Sequence, residues 1–96
     1  MKFQADPGEI EKAKILVDAL NNAKSEKDQF KAVKAIAKYL GMMNQQVAKD
    51  KLAIMQRFDC GTVMVVKIMK NLAENAQSEE VKLKTLELCA KCLGMF

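Results

Sequence analysis

Histidine and tryptophan are absent from this 96-residue sequence, proline occurs once, and the aromatics are four Phe and one Tyr. Without His there is no Ser-His-Asp or Cys-His catalysis and no His-containing metal site. So few aromatics, with a single proline, leave little material for a β-sandwich. Four glycines form no Gly-rich phosphate loop. Three cysteines, Cys60, Cys89 and Cys92, are too few and too odd in number for a secreted disulfide framework. No apolar run reaches the roughly 18 residues of a membrane span. The start, residues 1–7, lacks an apolar signal core. These absences predict a reduced, intracellular, cytoplasmic protein off the membrane, with no catalytic residues, no cofactor and no metal.

What is present is a soluble globular composition. Hydrophobic residues make up 50% and charged residues 29%, which excludes a disordered chain. The length suits one domain, 1–96. Net charge is +4, with Arg57 the one arginine among 16 basic residues. A mildly basic balance permits phosphate-bearing or acidic partners without demanding them.

The chain matches itself. Shifted by 53 residues, 6–43 lies on 59–96 without a gap, with 14 identities in 38 positions. Two amphipathic helices meeting by accident would share apolar positions. They would not also share Asp6/Asp59, Ser25/Ser78 and Gly41/Gly94, which are punctuation residues. Self-similarity at this spacing points to stacked helical units.

Each copy reads as a helical hairpin. Asp6 as N-cap, Pro7 at the first helical position and Glu9 start a helix that runs to about Asn22. Ile10, Ala13, Ile15, Leu16, Val17, Ala19 and Leu20 supply its wide apolar face. Ser25 caps a second helix in which Phe30, Val33, Ile36, Ala37 and Leu40 recur at helical spacing. Gly41 stands where a left-handed terminator is wanted. In copy two, Asp59 or Thr62 caps the first helix, Ser78 the second, and Gly94 closes it. Val63 to Val66 favours a strand on propensity alone, but its partner in copy one is helical. Between the copies, 44–58 reads as a bridging helix with Val47, Ile54, Met55 and Phe58 on one face. The predicted fold is all-α and helical-repeat-like: five short helices in two duplicated hairpins, 6–43 and 59–96, joined by that bridge.

The stretch from Ser78 to Phe96, closing on Leu93-Gly94-Met95-Phe96, resembles a segment of bacteriophage terminase small subunits. There a helix of similar pattern also ends on Leu-Gly-Met-Phe. Val63 to Ala76 fits the helix before that segment, and Phe30 to Met43 is a weaker second match. The resemblance implies a non-enzymatic DNA-packaging protein that binds viral DNA, assembles as an oligomer and meets a large packaging subunit. The family's N-terminal helix-turn-helix has no clear counterpart here. The hairpins suit equally a helical-repeat protein-interaction module, or a small phage-encoded inhibitor of a host protein.

Three constellations stand out. Lys27, Lys31, Lys34 and Lys38 make a basic stripe opposite Phe30, Val33 and Ala37. Their counterparts, Glu80, Lys84, Glu87 and Lys91, alternate in sign, so only copy one has an uncompensated face. That stripe is the candidate site for DNA or an acidic protein surface; the plainer reading is a solvated face screened by salt. Cys89 and Cys92 form a C-x-x-C near a helix C-terminus, where the dipole does not favour a thiolate. They align with Ile36 and Tyr39, which marks them as packing thiols. Met42, Met43, Met55, Met64, Met69 and Met95 read as adaptable core filling. Leu40-Gly41-Met42-Met43 runs into the linking segment, which can cover it. Met95 and Phe96 have no such cover in the sequence, and either fold back onto the core or form a contact between subunits.

Overall fold

A computed structural model describes residues 7–94. Five helices follow one another: α1 Pro7–Asn21, α2 Glu26–Leu40, α3 Lys49–Gln56, α4 Thr62–Asn75 and α5 Glu79–Cys92, with a 3-10 turn Met42–Asn44 after α2. No strand occurs among the described residues, and Val63 to Val66 lie inside α4.

Local chemistry sets the boundaries. Ser25 Oγ accepts from the Asp28 amide at 3.1 Å, and Ser78 Oγ accepts from the Val81 amide at 3.4 Å. Each bond satisfies one amide left open at a helix start. Acidic residues follow both caps, Glu26 and Asp28 in α2, Glu79 and Glu80 in α5, where the helix dipole favours them. Gly41 and Gly94 both adopt left-handed backbone, with φ of 82° and 74°. Asp6 lies outside the described residues. The cap of α4 is Gly61, not Asp59 or Thr62. Asp59 instead takes φ of 54° in the preceding turn, and Thr62 is the first helical residue.

The bridge is less helical than its sequence suggests. The 3-10 turn ends at Asn44, Gln45 turns left-handed with φ of 53°, and α3 spans only 8 residues. The amides of Gln46 and Ala48 donate to the carbonyls of Gly41 and Leu40, so the chain doubles back over the end of α2 before α3 starts. Val47 therefore stays exposed outside α3, while Ile54 and Met55 are buried and Phe58 is half-buried.

α2 is the central helix. It packs against α1, α3, α4 and α5, and α4 packs along α5. Val33, Ile36, Ala37 and Leu40 have no exposed surface. Each large side chain so buried contributes about 1.5–3 kcal/mol relative to exposure. The molecule measures 46 × 30 × 17 Å, and its thin axis is under two helix diameters of about 10–12 Å each. One shared core is therefore enclosed, and the outer helix faces stay open. On α1 the expected face is narrower than predicted: Ala13 and Val17 are buried, whereas Ile15 and Ala19 are exposed.

α2 and α5 are held side by side in the same direction. At their starts, the Gln77 amide donates to Glu26 Oε2 at 2.7 Å. At their ends, Gln45 Nε2 donates to the Lys91 carbonyl at 2.7 Å. The second bond gives α5 a terminal cap from a residue 46 positions earlier. Thr85, fully buried in α5, satisfies its hydroxyl by donating to the Val81 carbonyl at 2.7 Å.

A Cβ on Gly41 would collide with the Gln46 carbonyl oxygen, whereas one on Gly94 would press on the Gln45 side chain, which can yield. Both substitutions carry left-handed strain of about 1–3 kcal/mol. Gly41→Ala should therefore lower stability distinctly more than Gly94→Ala, as measured by denaturant unfolding. Equal losses would show that the fold-back after α2 is not rigid.

Candidate functional site

The four lysines of the predicted stripe are all exposed on α2. They divide between two surfaces. Lys27, Lys31 and Lys34 border an open groove of about 520 Å³ between the N-terminal halves of α2 and α5. Lys38 lies on the other side, beside Lys12, Ile15 and Tyr39 in a shallow depression against α1. Lys31 reaches both sides, because it also borders a depression with Leu16 and Ala35.

Phe30 and Val81 supply apolar surface to the groove, and Glu80, Lys84 and Glu87 form its second wall. Parallel α2 and α5, tied through Glu26 and Gln77, bring these walls together. The stripe is therefore not as uncompensated as the sequence implies. No carboxylate of its own helix pairs with it, but those of α5 face it. Glu80 accepts a charge-assisted bond from Lys84 at 2.9 Å, one turn along the same helix. That bond, and then the nearby Lys27 charge, hold the Glu80 carboxyl below its usual range. Glu87 and Lys91, at the same spacing, do not form such a pair. At the surface such contacts contribute little stability, so the groove's charges remain available to a partner.

The C-x-x-C thiols are half-buried and unpaired, and Cys60 is fully buried. Burial raises all three thiols above the ordinary value. Neutral, partly covered thiols fit a packing role. Among the described residues no three Cys, Asp or Glu side chains come together as a metal site. Met95 and Phe96, the expected oligomer contact, lie outside the described residues. Among the described residues no helix is long and apolar enough to cross a membrane.

One polar cluster was not visible in the sequence. Tyr39 donates its hydroxyl to Glu9 Oε2 at 2.8 Å, and Lys51 Nζ sits 5.1 Å from the Tyr39 ring centre. The cluster joins α1, α2 and α3 through a hydrogen bond and a cation–π contact. Its partners are 30 residues apart, so spacing gives no sign of it.

Burial, and then the Glu9 bond and charge, push the Tyr39 hydroxyl up to about 12 from 10.0. The unfolded chain releases this proton first, so the contribution is intact below pH 10 and is lost as pH rises toward 12. As the one tyrosine, it should ionise in an ultraviolet titration near pH 12. Glu9→Gln should lower that midpoint only part of the way, because burial is the larger cause. A midpoint near 10 in the native protein would rule the cluster out. No family model matches this chain, and neither does a curated protein or a solved structure.

Proposed function

We propose that this chain is a non-enzymatic DNA-packaging protein of the terminase-small-subunit type, binding DNA and packaging partners. The observation that supports it best is the run of exposed lysines on α2, with Lys27, Lys31 and Lys34 along one groove and Lys38 on the neighbouring surface. Phosphates along a duplex offer charge at regular spacing, and binding them releases condensed counterions. The resemblance of 78–96 to the packaging family supplies the biological setting.

A second reading has its own support. Glu80 and Glu87 across the groove, with Phe30 and Val81 between the walls, offer both signs of charge and an apolar strip. Such a surface fits a peptide or protein segment of mixed charge, as in an interaction module or an inhibitor of a host protein.

Salt titration separates the two. If four lysines meet phosphates, log affinity for duplex DNA should fall with log salt at a slope of about −3.6. Lys31→Glu with Lys34→Glu should roughly halve the slope and weaken binding while leaving helicity intact, because both side chains are exposed. Lys14→Glu, exposed on α1 away from the groove, is the control. No DNA binding at low salt, or no effect of the double variant, would leave the protein-interaction reading standing.

A further inference from the structure

Packing accounts for the half-burial of Cys89 and Cys92, but not for the company they keep. Both thiols line an open groove of about 500 Å³ between α4 and α5. Met69 of α4 and Met42 of the 3-10 turn line it too. Four of its ten lining residues therefore carry sulfur, in a chain with seven Met and three Cys among 96 residues. The charged groove between α2 and α5 has none. Under the 53-residue self-match, Met69, Cys89 and Cys92 correspond to Leu16, Ile36 and Tyr39. The first hairpin fills those positions without sulfur, so an apolar helix face does not require it. Three separate differences between the copies all bring sulfur to one groove.

The geometry lets these groups act together. Cys89 and Cys92 stand three apart on one helix, which sets their Cβ atoms about 5–6 Å from each other on one face. After burial, the charge of Cys89 is what raises the Cys92 thiol, as expected of near neighbours. α4 and the 3-10 turn both pack against α5, so the two methionines approach from separate elements. Val66, Leu86 and Leu93 make the rest of the groove apolar, and Lys70 and Glu74 border it. Zinc wants four strong donors, and among the described residues no three Cys, Asp or Glu side chains gather for it. Thiolate and thioether together are soft donors, and they select a soft ion such as Cu(I).

We infer that the α4–α5 groove binds one Cu(I) ion through Cys89 and Cys92, with the thioethers of Met42 and Met69 as further donors. Binding exchanges protons for metal. Two S–H protons leave to solvent, two copper–thiolate bonds form, and nothing is oxidised or reduced. The bis-thiolate complex carries one net negative charge, which the Lys70 ammonium at the groove offsets, with Glu74 one turn further along α4. Because protons are released, affinity falls as pH falls. The site stands whether or not the lysine face of α2 binds DNA.

The test is a titration of the reduced full chain with Cu(I), without oxygen, against the chromogenic Cu(I) chelator bicinchoninate. The unaltered chain should take one ion and show the near-ultraviolet absorption of copper–thiolate bonds. Cys89→Ser and Cys92→Ser should each weaken binding by more than the roughly hundredfold that loss of an outer-shell partner costs. Cys60→Ala should leave it unchanged, because Cys60 is buried and does not line the groove. Met42→Leu with Met69→Leu keeps volume and should weaken binding by about tenfold or more. Copper-edge X-ray absorption of the unaltered chain needs no variant and should show sulfur neighbours alone. Failure of the unaltered chain to compete with the chelator would overturn the site. So would undiminished binding by either Cys89→Ser or Cys92→Ser, or nitrogen and oxygen neighbours at the copper. Undiminished binding by the double methionine variant would overturn the groove as well, since a bare helical dithiol would then suffice.

Discussion

Everything in this molecule depends on the burial of one short helix. α2 is 15 residues long, about 22 Å at 1.5 Å per residue, and would be marginal alone in water. Its stability comes from neighbours: α1, α3, α4 and α5 all pack on it, and Val33, Ile36, Ala37 and Leu40 are shut off from solvent. Its alanines matter as much as its large residues. Ala32 and Ala37 are buried, and small side chains there let neighbouring helices approach. The lysine face is what remains of α2 once four neighbours have taken the rest of its circumference.

That arrangement explains why the charged groove has two walls of different character. A helix buried on most sides has one strip left for solvent, and the strip here is basic. α5 is packed on fewer sides and has room for both a charged strip and an exposed leucine strip. Its leucines fall on two sides: Leu88 turns into the core, while Leu83, Leu86 and Leu93 face out. The bridge adds to the asymmetry. It covers the first hairpin by packing α3 against α1 and α2, whereas on the second the 3-10 turn Met42–Asn44 packs against α5.

Element identity was legible because punctuation is local. Ser25, Ser78, Gly41 and Gly94 act within a few residues of where they stand, and the structure uses all four as the sequence implies. The all-α class follows from them and from helical spacing. The cap of α4 was not legible, since Gly61 has no side chain to announce it. The bridge read as longer than α3 because its apolar spacing continues through Val47, while the backbone is diverted by bonds back to Leu40 and Gly41. Of the candidate site, exposure of the lysines was readable from their spacing opposite Phe30 and Val33. Their division between two surfaces, and the carboxylates facing three of them, depend on where α5 lies, which no local pattern encodes. The exposure of Leu83, Leu86 and Leu93 was hidden for a related reason: a leucine looks the same in sequence whether or not a neighbour covers it.

The two clasps between α2 and α5 also shape how the fold comes apart. Glu26 grips the loop before α5, and Gln45 holds its last turn. Helix ends ordinarily fray first and lose their amide protection independently of the interior. Here the final turn of α5 is fastened to the segment that closes α2, so fraying at one releases a bond made by the other. The two helices thereby become a single cooperative unit for hydrogen exchange. α1 has neither clasp, and the Tyr39–Glu9 bond ties it to α2 instead.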